Sequence, residues 1–391
     1  MANSEAKSKR ILIATTVPSS LDNFNRGIFE AYRDAGWDVV GMSGSEPSAS
    51  VGAIKKRGFK FVPMPFVRQP SLFRDLWCLI RIWWFLVFHR FDLIHASTPK
   101  AMLLVTLASF FSFHRKVIVL FHGRAYENAK GLKRKLFIFL DKIVCKLAKK
   151  VLAVSESLRN AILQDKIVSP SKIMVIGAGS CNGIDSDYFC QDKISLSQKE
   201  CFRDENNIAT DKFIFLFLGR IRQDKGVNEL VRAFMKVKSC KENIQLLLVG
   251  NQEPTGLIFE DVKKNIADDN DIKLIVFLPD PRVAYAVADA VVLPSWREGF
   301  PLVMLEAGAM RLPVISADSI GLIDSVINEK TGLIVPVRSE DKLADAMLRL
   351  ANSPSDCMRF AENGYRRVIR DFKPEIIQEG LVKISEEILD S

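Results

Sequence analysis

Two glutamates stand eight residues apart in the run Arg297-Glu298-Gly299-Phe300-Pro301-Leu-Val-Met-Leu-Glu306. An apolar stretch, Ala290–Leu293, precedes them and reads as a buried strand. Proline suits the first position of a helix, because the N–H it lacks would be unpaired there. Gly299 permits a turn that other residues resist. A helix starting at Pro301 would aim free N–H groups and its positive end at a phosphate or a sugar oxygen. Glu306 would then lie about one and a half turns into that helix. One ligand could meet both carboxylates, with a sugar hydroxyl at Glu298 and a ribose diol at Glu306. Each glutamate taken alone equally suits a solvated surface or a capping role.

A second run, Phe217-Leu-Gly219-Arg220-Ile-Arg222-Gln-Asp-Lys225-Gly226, follows the apolar stretch Phe213–Leu218. Gly219 allows close backbone approach at a strand end. Arg220 and Lys225 are two cations that can hold a diphosphate. They would also stabilise negative charge developing on it as it leaves. A solvated charged loop is the alternative for this run on its own.

Such groups need strands and helices to place them. Strands are expected at Ile11–Val17, Asp38–Met42, Phe59–Met64, Leu93–Ala96, Val117–Phe121 and Val151–Val154. Helical patterns at Asn25–Ala35, Leu72–Phe88, Lys100–Phe111 and Leu132–Lys149 alternate with them. The pattern restarts with strands at Phe213–Leu218, Gln245–Val249, Ile272–Phe277, Ala290–Leu293 and Pro313–Ser316. Helices are expected there at Val227–Lys238, Phe259–Ile266, Arg282–Ala288, Pro301–Met310 and beyond Ser339. This alternation predicts an α/β chain with two doubly wound parallel sheets. The join is expected in the polar stretch between Asp185 and Asp211. Ligands of open α/β sheets bind outside the carboxyl ends of the strands, so the expected site is a cleft between two facing domains.

At 391 residues the chain is long enough for two domains. Its 48% hydrophobic and 26% charged content fits a globular protein rather than a disordered or fibrous one. The formal net charge of +9 is uneven. Residues 1–190 carry 28 Lys and Arg against 14 Asp and Glu, and the remainder 27 against 32. The basic first half predicts an anionic partner. Seven scattered cysteines with no CxxC pair argue against a disulfide framework or a structural zinc site, and fit a reducing compartment. The apolar run after Arg10 is too short for a signal-peptide core. No uninterrupted apolar run is long enough to span a bilayer.

Taken together, the two runs closely resemble the retaining GT-B glycosyltransferases of family 4. The Glu-x7-Glu spacing with Gly-Phe-Pro after the first Glu carries most of the resemblance. Val175-Ile-Gly-Ala-Gly-Ser-Cys-Asn182-Gly183-Ile184-Asp185, Asp92-Leu-Ile-His95 and Leu120-Phe-His122-Gly123 extend it over nearly the whole chain. The Gly-Ser-x-Asn-Gly-Ile-Asp form resembles the branch that builds bacterial surface polysaccharides and lipid-linked oligosaccharides.

The resemblance implies two Rossmann-like domains. Residues 1–190 would bind the acceptor and 191–372 the nucleotide sugar, with a helix near 373–391 packing back on the first. It implies that Gly219, Arg220 and Lys225 meet the donor diphosphate. Glu298 and the backbone of Gly299, Phe300 and Pro301 would hold the donor sugar, and Glu306 the ribose. His122, Glu298, Arg220 and Lys225 would be the catalytic group, with His95 and Asn182 as further candidates. A packed imidazole is the other reading of either histidine. The implied reaction is sugar transfer, of an N-acetylhexosamine or related hexose, from an NDP-sugar, UDP-linked. The implied acceptor is a polyprenyl-diphosphate-linked saccharide. Neither cofactor nor metal is implied, with the cations and helix N-termini in place of a metal ion. The rival is a sugar-nucleotide epimerase of related two-domain fold, which would need neither the basic first half nor the glutamate pair.

Three departures from the family pattern stand out. Pro18-Ser-Ser-Leu-Asp-Asn replaces a Gly-Gly loop, Arg311 replaces a glycine before the strand at Pro313, and Pro279 replaces a glycine after Phe277. The turn at Arg311 is expected to differ, because arginine resists the left-handed conformation. Gly177-Ala-Gly179-Ser-Cys-Asn-Gly183 misses the dinucleotide fingerprint, its last glycine falling one residue late. Asp185-Ser-Asp187 and Asp269-Asn-Asp271 have Asp-x-Asp spacing but sit in turns and read as structural.

The segment 130–150 carries eight Lys and Arg against one Asp, with apolar residues at helical spacing. Leu72–Phe91 sets Trp77, Trp83 and Trp84 among Arg74, Arg81 and Arg90. Basic helices beside tryptophan-rich apolar surface suit the headgroups of an anionic bilayer. The expected location is therefore cytoplasmic and peripheral, on the inner face of the cytoplasmic membrane. Nucleic acid is not expected, since no recognition motif or aromatic-lined groove pattern occurs.

Overall fold

The computed structural model describes residues 8–124, 126–127, 129–253 and 256–391. The first seven residues of the expected 1–190 domain lie outside that set. The chain divides into two compact units, one of residues 1–183 with 374–391 and the other of residues 184–373.

The first unit runs β1 (Lys9–Ala14), α1 (Pro18–Phe24), α2 (Ile28–Asp34), β2 (Trp37–Ser43), α3 (Ser48–Lys56) and β3 (Lys60–Pro63). It continues with α4 (Leu72–Phe88), β4 (Leu93–Ser97), α5 (Pro99–Phe111), β5 (Val117–Phe121), α6 (Gly131–Leu147), β6 (Lys150–Ala153), α7 (Glu156–Gln164) and β7 (Ile173–Met174). Its sheet has the order β3-β2-β1-β4-β5-β6-β7, with every pairing parallel. β4 and β5 are buried throughout, as helices on both faces of a parallel sheet require.

The second unit opens with α8 (Leu196–Asn206), β8 (Phe213–Leu218), a 3-10 turn (Gln223–Lys225), α9 (Val227–Lys238), β9 (Ile244–Val249) and α10 (Glu260–Asp268). Then come β10 (Ile272–Ile275), α11 (Arg282–Val287), β11 (Ala290–Leu293), α12 (Leu302–Ala309), β12 (Val314–Ala317), α13 (Leu322–Ser325) and β13 (Gly332–Val335). α14 (Glu340–Asn352) and α15 (Pro354–Asp371) close it. Its sheet order, β10-β9-β8-β11-β12-β13, repeats the doubly wound pattern of the first. A last helix, α16 (Pro374–Asp390), belongs to the first unit, where the Tyr32 hydroxyl shares a hydrogen bond of 2.6 Å with Ser385.

Several elements differ from the sequence expectation. The helix expected over Asn25–Ala35 is shorter: α2 begins only at Ile28, after Gly27, whose backbone is left-handed. The segment Pro18–Phe24, read as a loop, is α1. The polar stretch Asp185–Asp211 holds α8, started by a capping box in which Ser195 and Gln198 satisfy each other's backbone N–H groups. α3, α7, α13, β7 and β13 were not expected. The strand over Ile272–Phe277 stops at Ile275, and Phe277 is exposed.

Arg311 is the clearest correction. Its φ is 52, so the left-handed turn is kept without glycine. That conformation costs about 1–2 kcal/mol in a non-glycine residue. The guanidinium lies 3.7 Å from the Tyr365 ring centroid and pairs with Glu362, which offsets part of the cost.

Candidate active site

The strand order reverses between β8 and β11 in the second unit, and both cation and carboxylate runs leave from those two strands. Gly219 and Arg220 follow β8, and the segment from Pro294 to Pro301 follows β11. The 3-10 turn Gln223–Lys225 then brings Lys225 to Glu298, and the two side chains are paired at 2.5 Å. Both are mostly covered. Backbone contacts hold this loop in place. Trp296 N–H and the Ser295 hydroxyl both donate to the Asp224 carbonyl, at 3.0 and 3.1 Å. Glu298 N–H donates to the Ile320 carbonyl at 3.1 Å.

Two glycines make this approach possible, one closing the basic run and one, Gly321, that the sequence reading of the site missed. Gly226 has φ 74, and a Cβ there would stand 2.2 Å from the Pro294 carbonyl oxygen. Gly321 has φ 82, and a Cβ there would stand 2.5 Å from the carbonyl oxygen of Gly299. Neither position can carry a side chain while the loops keep these places.

Pro301 caps α12 rather than opening it. Its φ and ψ are −82 and 107, outside the helix, and Leu302 is the first helical residue. Phe300 is buried, with its ring 5.4 Å from that of Phe372. Glu306 lies in the middle of α12, and Tyr285 of α11 donates its hydroxyl to Glu306 Oε2 at 2.6 Å. Burial raises the Glu306 acid above the ordinary carboxylate range, and the Tyr285 hydrogen bond opposes that rise. Tyr285 itself is fully buried, and burial followed by the Glu306 charge pushes its phenol well above 10. Tyr285 and Gly321 carried no local sequence signal.

Further charges surround the basic turn. Arg220 pairs with Glu253 at 2.9 Å, and Arg222 pairs with Glu253 at 2.6 Å and Asp224 at 3.0 Å. Arg297 reaches Asp224 at 3.2 Å. Burial pushes the Asp224 acid up, but Arg222, Arg297 and Lys225 outweigh it and hold the carboxyl below its usual range. Neither Asp224 nor Glu253 was expected from the motifs.

The remaining candidates lie in the first unit. His122 follows β5, stacked on Phe24 at the end of α1 with ring centroids 4.5 Å apart. Its Nε2 is covered and has no hydrogen-bond partner among the described residues. Burial, with the nearby His95, pushes its pKa down to about 3. His95 is completely buried in β4, with neither ring nitrogen partnered among the described residues, and burial lowers its pKa to about 4. Both imidazoles are therefore neutral at pH 7. Asn182 is occupied structurally: its amide donates to the Asn23 carbonyl at 3.1 Å, and its Oδ1 accepts from Cys181. Asp185 accepts from the backbone of Asp187 and Tyr188, and Asp269 from that of Asp271, as turn residues do. Among the described residues, no group of three His, Cys, Asp or Glu is arranged to hold a metal ion.

Residues 198–367 match the family model of glycosyl transferases group 1, and residues 24–188 that of glycosyltransferase family 4. The capsular polysaccharide biosynthesis glycosyltransferase CapM of Staphylococcus aureus is 32% identical over 379 residues, which cover 96% of each chain. The chain belongs to the group 1 glycosyltransferases of family 4. A second relative of this glycosyltransferase is an Escherichia coli enzyme, UDP-Gal:alpha-D-GlcNAc-diphosphoundecaprenol alpha-1,3-galactosyltransferase. It is 26% identical over 326 residues, 79% of this chain and 80% of that one. Among solved structures, Anabaena HepE in complex with UDP and glucose superposes with a TM-score of 0.81 at 19% identity. The match covers 97% of this chain and all of that one. That likeness fixes the fold as GT-B, with two Rossmann-like sheets. Membership of a transferase family sets aside the epimerase reading.

Proposed function

We propose that this glycosyltransferase moves a hexose or N-acetylhexosamine, with retention, from a UDP-sugar to a polyprenyl-diphosphate-linked saccharide of a bacterial surface polysaccharide. The observation that carries the proposal is the Lys225–Glu298 pair, which joins the loop after β8, carrying Arg220, to the loop after β11, which leads into the helix carrying Glu306. A diphosphate needs cations, a sugar hydroxyl needs a fixed carboxylate, and a ribose diol needs a second one. The activity named for the Escherichia coli relative and the UDP in the Anabaena structure support the donor and acceptor classes.

In this reading Arg220 and Lys225 neutralise the leaving diphosphate, so turnover needs no metal ion and survives a chelator. A leaving phosphate oxygen takes the proton of the acceptor hydroxyl on the same face of the sugar. Purified protein assayed with a panel of UDP- and GDP-sugars and lipid-diphosphate saccharides tests the proposal. Glu298→Ala should abolish transfer while the thermal unfolding temperature stays near that of the parent. Near-normal transfer would overturn the site.

A membrane partner is part of the same proposal. No helix among the described residues is long and apolar enough to cross a membrane. α4 nevertheless exposes Leu72, Phe73, Trp77, Trp84 and Phe88, and α6 exposes Leu132, Leu136 and Phe139 among its lysines. Exposed apolar residues on two helices of a basic unit fit insertion among anionic headgroups at the inner face of the cytoplasmic membrane.

A further inference from the structure

Around the 3-10 turn, cations and carboxylates alternate: Arg220, Glu253, Arg222, Asp224 and Arg297 form one chain, beside the Lys225–Glu298 pair. Glu253 is the member that no motif supplies. It comes from the loop after β9 and places one carboxylate oxygen on each of two arginines. The two contacts are unequal. Arg222 is held by Glu253 and Asp224 together, and the Asp224 backbone is itself fixed by Ser295 and Trp296. Arg220 pairs with Glu253 alone among the described acidic residues, and its side chain is 45% exposed against 27% for Arg222. Glu253 is thus anchored through Arg222, and Arg220 is the arm that can be exchanged.

Hydrogen bonds from Arg220 and Arg222 hold the Glu253 acid below its ordinary range, so it is ionised at neutral pH. A diphosphate arriving at Arg220 meets a guanidinium that already has an anionic partner, and meets that partner's charge as well. We infer that Glu253 is an affinity-setting residue, a built-in competitor that weakens the hold of Arg220 on the nucleoside diphosphate and lets the product leave. The inference rests on the donor-site reading above and concerns how tightly that site holds its ligand. Without such a competitor, the cations that stabilise the leaving group would also retain it.

The test is binding of UDP and of GDP by calorimetry to the parent, Glu253→Gln, Arg220→Ala and the double variant, with donor KM and kcat for each. The amide keeps the shape of Glu253 and one acceptor oxygen. Removing one like charge beside the diphosphate is expected to tighten binding of the preferred nucleotide by roughly 10-fold at low salt, less at high salt. Donor KM should fall in step, with kcat falling where product release limits turnover. Arg220→Ala should weaken binding, and the gain from Glu253→Gln should shrink in the double variant to what the lost like charge alone supplies. Unchanged or weaker binding by Glu253→Gln, with Arg220→Ala impaired, would overturn this inference alone. A gain undiminished without Arg220 would do the same. Parent-like binding by Arg220→Ala would overturn the donor assignment and this inference with it.

Discussion

Replacing Tyr285 with Phe removes a single hydroxyl from beneath Glu306. The ring stays, so the buried packing against Phe189, at 6.3 Å between centroids, is retained. The 2.6 Å hydrogen bond to Glu306 Oε2 is lost. A hydrogen bond to a charged group contributes about 1.5–3 kcal/mol. Here it favours the ionised carboxylate against burial, which pushes the Glu306 acid up. An ionised Glu306 is the form that can accept both hydroxyls of a ribose diol. As pH falls, the parent enzyme should lose donor affinity as Glu306 protonates. Tyr285→Phe should lose it at higher pH, because the interaction that opposed protonation is gone. On the acid limb the ionised fraction should drop by about tenfold or more, since 1.4 kcal/mol is a factor of ten. Alkaline of both limbs the two enzymes should converge. The assay is NDP release at subsaturating donor across about pH 5 to 9, read as kcat/KM. An acid limb in the same place for both enzymes would refute the reasoning. A loss of equal size at every pH would refute it too, since that is the signature of disturbed packing.

Three other perturbations follow from the same geometry. Gly226→Ala should displace the basic turn, because its Cβ would stand 2.2 Å from the Pro294 carbonyl oxygen. A loss of at least ~1 kcal/mol in unfolding free energy and a raised donor KM are expected, measured by denaturant melts and initial rates. Asp141, buried in α6, has its acid raised to about 7 by burial. The folded state therefore keeps that proton while the unfolded chain releases it, so stability falls as pH rises from about 4 to 7, by at most ~4 kcal/mol. Asp141→Asn should flatten that fall, and pH-dependent melts that stay parallel to the parent would count against it. Flotation with anionic liposomes should carry the protein at low salt, and Trp77→Ala with Trp84→Ala should reduce it severalfold. Absence of parent binding to those liposomes would sink the membrane proposal.

The strands of both sheets could be read from the chain because a strand covered on both faces must be a short run of apolar residues. The run FIFLFL of β8 is an example, and no fold is needed to see it. Glu298 and Glu306 were equally visible, since their spacing lies within one loop and one helix. The edge strands β7 and β13 were not, because β7 has only two residues and β13 opens on a glycine directly after a turn. α1 and α8 were missed because their polar residues mask the helical pattern, although the capping box at Ser195 and Gln198 was present in the sequence.

What only the tertiary structure decided is which charged groups meet. Lys225 and Glu298 are 73 residues apart, and Arg222 and Glu253 are 31 apart. Tyr285 stands beneath Glu306 from another helix. The sequence determined that the cations and carboxylates would sit at strand ends. The order β10-β9-β8-β11-β12-β13 determined that those strand ends would be neighbours. Residue type sets what a side chain can bind, whereas its partner, and hence its charge state and availability, is set by the sheet order and by glycines that let the loops touch.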